Sequence, residues 1–342
     1  MSGGVDSSAT AALLKEAGHE VIGMTLRVWS HDVAKQEGSC CSLDDVQDAR
    51  AVAHALGIPF YVADVEALFR ERVVRPFVDA YLQGRTPIPC VACNDAVKFG
   101  FLLGRARQLG AKLATGHYAR IDASRGRYRL LRGTDQSKDQ SYFLFTLGQS
   151  ELEDVLFPIG GMEKSEVRAI AARYGLPTAR KAESMEICFI PDGDYAGFVE
   201  RFAGDQPGGD IVTSSGEIIG HHSGIHRFTV GQRRGLKVAS REALYVQRID
   251  GSHRTVVVGP ASEASRREFS LLAPRWTTGG APLDRPLEVK IRHRHRPVGC
   301  QVHRDDDGSL RVRLEQPQRA VTPGQAAVLY DNDEVLGGGW IG

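Results

Sequence analysis

Apolar residues in the first part of the chain alternate between helical and strand periods. They recur at helical spacing over 7–17, which predicts a first helix. Strands are predicted over 20–29 and 60–65, and between them in sequence lies a helix that ends near Leu56. Strands that alternate with helices form parallel sheets, so we expect an α/β fold. Pro76 is expected to break or restart a later helix. Further elements are predicted as helices over 68–82, 95–109 and 163–174, a strand over 112–118 and a hairpin over 120–132.

The pattern changes beyond about Asp194, where glycine becomes frequent and short alternating segments replace the helical period. Short strands between Gly, Pro and Asp turns predict a small linking domain and then a β-barrel, with a sandwich as the alternative. We therefore predict domains over 1–195, 196–265 and 266–342. The alternating segments are LYVQRI (244–249), TVVVG (255–259), LEVKIRHRHR (287–296), LRVRLE (310–315) and AAVLYD (326–331).

Composition narrows the class of protein. The 342 residues carry a formal net charge of +1 with 25% charged residues, which is typical of a soluble globular protein. No apolar run reaches membrane-spanning length and the N-terminus has no signal pattern, so we expect a cytoplasmic protein. Six cysteines are too few for a disulfide scaffold, so metal-binding, catalytic and buried roles remain.

The first eight residues contain the clearest chemical signal. Gly3 and Gly4 let the backbone turn tightly and bring its N–H groups close to phosphate oxygens. The next helix, which Ser7 and Ser8 are expected to open, directs its partly positive N-terminus at the same point. No Gly-Lys-Ser/Thr follows, so this is not a Walker loop. A plain glycine turn before a helix is the alternative.

A loop of this kind normally follows the central strand of a doubly wound sheet. Only Met1 precedes it in this sequence. We therefore expect the native chain to start upstream, with roughly ten more residues that supply the strand. The loop and the strand–helix alternation together predict a Rossmann-like doubly wound parallel sheet.

Cys90 and Cys93 lie in a proline-flanked loop before a helix that Asn94 is expected to cap. The N-terminus of that helix favours the thiolate of Cys93. Half a zinc site and a tight loop of small residues are the alternatives, and a zinc site needs a second pair, for which Cys40-Cys41 has the wrong spacing. Cys188, among apolar neighbours, is typical of an inert core residue, and we interpret Cys300 as structural.

The C-terminal part is basic. The segment from Arg266 to Arg319 holds twelve Lys or Arg against seven Asp or Glu, which favours phosphate contacts. If 287–296 is a strand, alternation places four cations in a row on one face: Lys290, Arg292, Arg294 and Arg296. The mixed spacing of three histidines favours solvent or RNA contact over a metal site: His221, His222 and His226. A nucleotide loop, well-placed thiols and a basic tail together suggest sulfur transfer to a nucleic acid.

Several motifs extend this interpretation along the whole chain. They are SGGVDSS (2–8), GRTPIPCVACN (84–94), TGHY (115–118), LLRGTDQSKDQSYFL (130–144), EICFI (186–190), GQRRGL (231–236), TPGQ (322–325) and LGGGWI (336–341). With them the sequence resembles the bacterial tRNA-specific 2-thiouridylases of the PP-loop ATP pyrophosphatase superfamily. Members of that family place sulfur on C2 of the wobble uridine in Lys, Glu and Gln tRNAs.

The resemblance implies a role for specific residues. Cys188 would carry a persulfide, loaded by a sulfur-relay protein or a cysteine desulfurase, and Cys93 would release the sulfur by forming a disulfide with Cys188. ATP with Mg²⁺ would be held by the loop, one strand backbone and a second glycine: Ser2, Gly3, Gly4, Val5, Asp6, Ser7, Leu26 and Gly116. Three residues would face the target base: Ile88, Pro89 and Cys90. Others would contact the anticodon arm of the tRNA: His117, Lys138, Asp139, Gln140, Arg292, His293 and Gln325.

Position 90 leaves two sulfur mechanisms open. One branch of the family has Asp at position 90 and Asn at position 88, where this chain has Cys90 and Ile88. Cys90, Cys93 and Cys188 could instead ligate three irons of a [4Fe–4S] cluster whose fourth iron takes sulfide. A catalytically inactive tRNA-binding protein is the alternative from a different class.

Overall fold

The computed structural model describes residues 1–29, 43–182 and 187–342. Cys40 and Cys41 lie outside these ranges. The N-terminal part alternates helices and strands, as predicted. Its elements are α1 (Val5–Glu16), β1 (Gly23–Arg27), α2 (Leu43–Leu56), β2 (Phe60–Asp64), α3 (Glu66–Phe69), α4 (Arg75–Leu82), α5 (Pro89–Cys93), α6 (Leu103–Gln108), β3 (Leu113–Ala114), β4 (Ala119–Asp122), β5 (Arg129–Arg132), α7 (Gln149–Asp154), β6 (Val155–Leu156), α8 (Lys164–Arg173) and α9 (Tyr195–Ala203).

The parallel strands of this part form two pairs within the described ranges. β1 pairs with β2 over five residues, and β3 pairs with β6 over two. Met1 lies beside β1, where its amino group donates to the carbonyl of Met24 and its carbonyl accepts from the Thr25 hydroxyl at 2.7 Å. The predicted nucleotide loop therefore starts next to β1, and the strand expected upstream stays a prediction.

The helix over 66–82 is continuous, because a π-helical turn over Arg70–Val74 joins α3 to α4. Pro76 occupies the first turn of α4 directly after the π turn, and Val74 before it keeps helical angles of φ −71° and ψ −50°. A π turn moves the backbone hydrogen bonds from four to five residues apart, which accommodates a residue without an N–H. The predicted break at Pro76 is therefore wrong, whereas the alternative, a restart, agrees with the start of α4 at Arg75.

A second continuous helix begins at Pro89, earlier than predicted, and runs through α5, a π-helix over Asn94–Leu102 and α6. Asn94 lies inside it with φ −60° and ψ −50°, and its Nδ2 donates to the carbonyl of Phe143 at 3.1 Å. The prediction that Asn94 caps the helix is wrong, because proline suits the first helical turn and starts the helix there. Cys90 and Cys93 therefore lie within the helix rather than in a loop before it.

One hydrophobic core of the N-terminal part is built around the phenylalanine cluster, which we define as Phe69, Phe77, Phe189 and Phe198. Phe189 packs edge-on against Phe77 with ring centroids 5.2 Å apart. Phe198 comes from α9, a helix that the sequence pattern did not predict and that Asp194 caps by accepting the Gly197 N–H at 2.9 Å. This core thus extends beyond residue 195, and the predicted domain boundary there stays a prediction.

The middle part is a small β-domain around Ile211, Val246, Val256 and Val258. Its sheet has the order β8-β7-β10-β9, in which β7 and β10 are parallel and the other pairs antiparallel. The strands are β7 (Gly209–Thr213), β8 (Ile218–His222), β9 (Leu244–Asp250) and β10 (Thr255–Pro260).

The C-terminal part is a closed antiparallel barrel, which confirms the predicted barrel. Its strands follow the order β11-β14-β13-β12-β15-β16, and pairing of β16 with β11 closes the ring. The hairpin β4–β5 of the N-terminal part adds to β16 through the pairs Leu130↔Val335 and Leu131↔Glu334. The strands are β11 (Ser265–Trp276), β12 (Leu287–Lys290), β13 (Val298–Arg304), β14 (Leu310–Arg319), β15 (Ala326–Asp331) and β16 (Glu334–Ile341).

The basic segment after β12 departs from the prediction. β12 ends at Lys290, and the N–H of His295 donates to the carbonyl of Arg292 at 3.0 Å, which closes a turn between β12 and β13. Lys290 is only 9% exposed and lies 3.9 Å from Asp139. The predicted row of cations on one strand face is therefore wrong, although Arg292, Arg294 and Arg296 are exposed on the turn.

No helix within 1–29, 43–182 and 187–342 is both long and apolar enough to cross a membrane.

Candidate active site

The predicted nucleotide loop packs its backbone directly against α2. Gly3 has φ +69°, a left-handed angle that favours glycine, and a β-carbon there would lie 2.8 Å from the Cα of Asp45. Gly4 caps α1, which begins at Val5, so the prediction that Ser7 and Ser8 open the helix is wrong by two residues. Their hydroxyls instead donate back to the carbonyl of Gly4 at 3.2 and 2.8 Å.

Gly116 lies against the same end of α1. A β-carbon on Gly116 would lie 2.8 Å from the carbonyl carbon of Asp6 and 2.9 Å from the nitrogen of Ser7. The structure thus brings together two motifs that are more than a hundred residues apart in sequence. A helix N-terminus beside two glycines exposes backbone N–H groups to an anion, so the residues present fit the phosphates of ATP.

Asp6 is held by two side chains from other elements. Nζ of Lys164 donates to its two carboxylate oxygens at 2.7 and 2.9 Å, and the Tyr118 hydroxyl donates to Oδ1 at 2.9 Å. Lys164 is the first residue of α8, and its ammonium also lies 5.4 Å from the Tyr118 ring centroid. These contacts fix the carboxylate at the start of α1, next to Gly116.

His117, a predicted tRNA contact, is only 8% exposed and packs between Phe99 and Phe157 at centroid distances of 6.0 and 5.9 Å. Burial, with a smaller effect of the Lys98 ammonium, holds the pKa of His117 well below its ordinary value. The ring is therefore neutral. Since an ammonium only donates, Nε2 accepts from Lys98 at 3.4 Å, and Nδ1–H donates to the Thr115 hydroxyl at 2.8 Å.

The two predicted catalytic thiols, Cys93 and Cys188, are half-buried, and both pack against the hydrophobic core that contains the phenylalanine cluster. Cys90, in the first turn of the same helix as Cys93, is exposed. Cys300 lies buried in the barrel core on β13, and burial raises the pKa of its thiol to about 12, as suits a structural residue.

The segment that leads into the Cys90 helix is held by both other domains. Thr86 donates its N–H to the carbonyl of Pro323 at 2.9 Å and accepts from Nε2 of Gln325, a predicted tRNA contact, at 3.0 Å. Gly84 has φ +72°, and a β-carbon there would lie 2.5 Å from Ile249 of the middle domain. This junction positions Pro89 (buried) and Ile88 (half-buried), the residues predicted to face the target base.

The structure brings together two other groups of predicted tRNA contacts. Nε2 of His293 lies 3.2 Å from the carbonyl oxygen of Asp139, which is hydrogen-bond distance. The centroid of the His293 ring lies 4.4 Å from that of the Phe143 ring. The Asp139 carboxylate is turned inward, where it accepts the N–H groups of Gly133 and Ser141 at 3.1 and 3.0 Å.

The other predicted tRNA contacts of these two groups differ in their exposure and in their hydrogen bonds. Gln140 accepts the Tyr118 N–H through Oε1 at 3.1 Å, which ties it to the loop after Gly116. Lys138 is half-buried, and Arg292 is exposed on the turn after β12. Contact of these residues with tRNA stays a prediction.

Sequence reasoning missed two lysines of this site, Lys98 and Lys164. Lys98 follows Cys93 within the segment CNDAVKF (93–99), and its place beside His117 depends on the π-helix, for which the sequence gives no pattern. Lys164 is a helix-starting residue far along the chain, and only the fold shows its contact with Asp6.

Within the ranges that the structure describes, no three His, Cys, Asp or Glu side chains are grouped so that they could hold a metal ion. The Leu26 backbone, predicted to contact ATP, lies in β1, where it pairs with Ala63 of β2. The [4Fe–4S] interpretation stays a hypothesis.

The loop, the α/β domain and the two β-domains define an ATP-utilising protein of the PP-loop class. Family models match the chain in three parts, described as a tRNA methyl transferase HUP domain (1–192), a tRNA methyl transferase PRC-barrel domain (196–260) and an aminomethyltransferase beta-barrel domain (266–341).

Curated relatives match over the whole chain. The tRNA-specific 2-thiouridylase MnmA of Geobacter metallireducens is 53% identical over 100% of this chain and 95% of its own. Those of Geotalea uraniireducens and Acidobacterium capsulatum are 51% and 49% identical, over 100% of this chain and 93% and 97% of theirs. The chain belongs to the family of tRNA-specific 2-thiouridylases. A solved NMN synthetase from Francisella tularensis, with 18% identity and a TM-score of 0.33 over 60% of this chain and 76% of its own, bears on neither fold nor function.

Proposed function

We propose that this enzyme uses ATP to replace O2 of the wobble uridine by sulfur in the tRNAs for Lys, Glu and Gln. One observation carries the proposal. The glycines of the two loops meet at the N-terminus of α1, and Cys93 and Cys188 pack against the same hydrophobic core of that domain. A nucleotide loop and two thiols in one domain are what activation by ATP followed by sulfur transfer requires.

The first step makes an oxygen expellable. Uracil O2 attacks the α-phosphorus of ATP, the bond to the β-phosphate breaks, pyrophosphate leaves, and the N3 proton of the uracil passes to solvent. The backbone of Ser2–Ser7 and Gly116 would bind the phosphates, whose charge a bound Mg²⁺ would spread. Asp6, fixed by Lys164 and Tyr118, sets the start of α1 against Gly116.

In the second step sulfur replaces the adenylate. The terminal sulfur of a Cys188 persulfide attacks C2 and expels AMP, which leaves the base joined to Cys188 through a disulfide. The Cys93 thiolate then attacks Sγ of Cys188, so that 2-thiouridine is released and a Cys93–Cys188 disulfide forms. A dithiol reductant restores the thiols, and a sulfur-relay protein or cysteine desulfurase reloads Cys188.

The tRNA has to present its wobble base to this pocket. The base leaves the anticodon stack, which costs a few kcal/mol, and faces Ile88, Pro89 and Cys90. His117, Lys138, Asp139, Gln140, Gln325 and the Arg292–His293 turn contact the anticodon arm. A tRNA substrate together with ATP supports a cytoplasmic location.

Mass spectrometry of nucleosides from the tRNA of a knockout strain tests the proposal. The wild-type gene restores 2-thiouridine, and Cys188→Ser and Cys93→Ala do not. Cys300→Ala, which removes a thiol of the barrel core, serves as the control and restores it. Absence of 2-thiouridine after complementation with the wild-type gene contradicts the proposal.

Cys90→Asp separates the two sulfur mechanisms, because Asp is the residue of the other family branch. The persulfide mechanism retains thiolation in this variant, whereas a cluster ligated by Cys90 loses it. Iron and acid-labile sulfide in anaerobically purified protein give an independent answer: their absence excludes the cluster.

A further inference from the structure

Three features of Lys98 bear on the chemistry of the site. It is half-buried, it makes no ion pair with a described carboxylate, and its Nζ lies 3.4 Å from Nε2 of His117. Burying an ammonium without an opposite charge is unfavourable, so such a lysine is typically stabilised by an anion that binds beside it.

The position of Lys98 links the two halves of the site. His117 directly follows Gly116, where a β-carbon would meet the backbone of Asp6 and Ser7 at the start of α1. On its own helix, Lys98 follows Cys93 by five residues in the π-helical segment Asn94–Leu102. Because π-helical hydrogen bonds join residues five apart, the two residues lie one turn apart. The ammonium therefore lies beside the residue that follows Gly116, on the helix that carries Cys93.

His117 holds this ammonium in place. The ring is packed between Phe99 and Phe157, and its Nδ1–H donates to the Thr115 hydroxyl, so Nε2 is left as an acceptor directed at Lys98. A neutral ring orients the ammonium without neutralising it. Lys164, the other lysine of the site, is already paired with Asp6 at 2.7 Å, so its charge is compensated.

We propose that Lys98 is a catalytic residue that binds the α-phosphate, the group that passes from ATP to uridine and leaves as AMP. This inference rests on the proposed function. The ammonium transfers no proton. It stabilises the negative charge that builds on the α-phosphate as uracil O2 attacks and pyrophosphate leaves, and again as AMP is expelled by sulfur. The loop at α1 binds the phosphates that leave as pyrophosphate.

Binding and rate measurements on Lys98→Gln test the inference. Arg105→Gln is the matched control, because Arg105 is an exposed cation further along the same continuous helix. Loss of one charge-assisted hydrogen bond raises the Kd for AMP about 10-fold and leaves the Kd for adenosine unchanged. The rate of tRNA-dependent pyrophosphate release falls about 100-fold, as for the loss of one transition-state donor.

The remaining readouts distinguish catalysis from structure. Lys98→Arg regains a large part of the pyrophosphate release, tRNA affinity stays within 2-fold in all variants, and Cys188 still accepts sulfur. An AMP affinity of Lys98→Gln equal to that of wild type overturns the inference, as does a loss confined to tRNA affinity. If the wild-type protein releases no pyrophosphate with tRNA, the proposed function itself fails.

Discussion

Gly3→Ala is expected to damage the nucleotide loop far more than an equivalent change elsewhere. Gly3 has φ +69° and meets the α2 backbone, with a β-carbon placed 2.8 Å from the Cα of Asp45. Gly18, at the end of α1, has φ +83° and open space around its β-carbon position. Gly18→Ala is therefore the matched control, because both variants carry the same backbone penalty and only Gly3→Ala adds a clash.

The size of the effect of Gly3→Ala follows from the cost of the left-handed backbone angle and the cost of the clash. An L-residue in the left-handed region costs roughly 1–2 kcal/mol, and overpacking against a rigid backbone costs roughly 1–3 kcal/mol more. The loop at Gly3 has to move away from α2 to relieve the clash. Each charge-assisted hydrogen bond to phosphate lost in that movement is worth about 1.5–3 kcal/mol, so the Kd for ATP rises roughly 10- to 100-fold.

Isothermal titration calorimetry with ATP measures this effect, and thermal unfolding of both variants provides the stability comparison. Gly18→Ala binds ATP like wild type and loses only the backbone term in stability. Equal ATP affinity of Gly3→Ala and wild type refutes the assignment of this loop to the phosphates.

Three further predictions concern the rest of the site. Gly324→Ala lowers the thiolation rate because its β-carbon would lie 3.0 Å from the Thr86 backbone. Gly308→Ala, also at positive φ but in open space, leaves the rate unchanged. Equal single-turnover rates of Gly324→Ala and wild type contradict the role of the junction. The double variant Arg292→Ala, Arg294→Ala weakens tRNA binding and reduces the slope of log K against log salt by about 1.4–1.8. The control Arg285→Ala, which removes a partner of Asp331, leaves that slope unchanged. Filter binding over a salt series measures both slopes, and an unchanged slope in the double variant contradicts the phosphate contacts. Because the pKa of His117 is lowered in the folded chain, the unfolded chain binds a proton at higher pH, and this group costs stability as the pH falls below 6.5. The melting temperature of His117→Gln therefore falls less than that of wild type between about pH 7 and pH 5, on either side of the ordinary histidine pKa. Parallel curves for the two proteins contradict a buried neutral ring.

Much of the architecture follows from local patterns. The strand–helix alternation predicts the parallel strands, and β-period segments with glycine turns predict the closed barrel. The two prolines show where local rules are insufficient. Pro76 does not break the helix, because a π turn keeps it continuous up to the start of α4, and Pro89 rather than Asn94 begins the next helix.

The site shows the same limit at the level of long-range contacts. The glycine loop is recognisable from sequence, because the need for close backbone approach is local. The cations after β12 alternate like a strand, yet they lie on a turn, since alternation alone does not distinguish an exposed strand from an extended loop. The contact of Lys98 with His117 and that of Lys164 with Asp6 join distant segments, and no local pattern encodes either of them.

The central claim is that ATP activates a tRNA uridine which then takes sulfur from Cys188. The most direct test loads the protein with ³⁴S-labelled persulfide, removes the donor, and adds ATP and tRNA without reductant. The claim predicts at most one ³⁴S-labelled 2-thiouridine for each chain, with AMP and pyrophosphate in equal amount and a disulfide between Cys93 and Cys188 found by mass spectrometry. Labelled 2-thiouridine formed without ATP, or formed equally by Cys188→Ser, would contradict it.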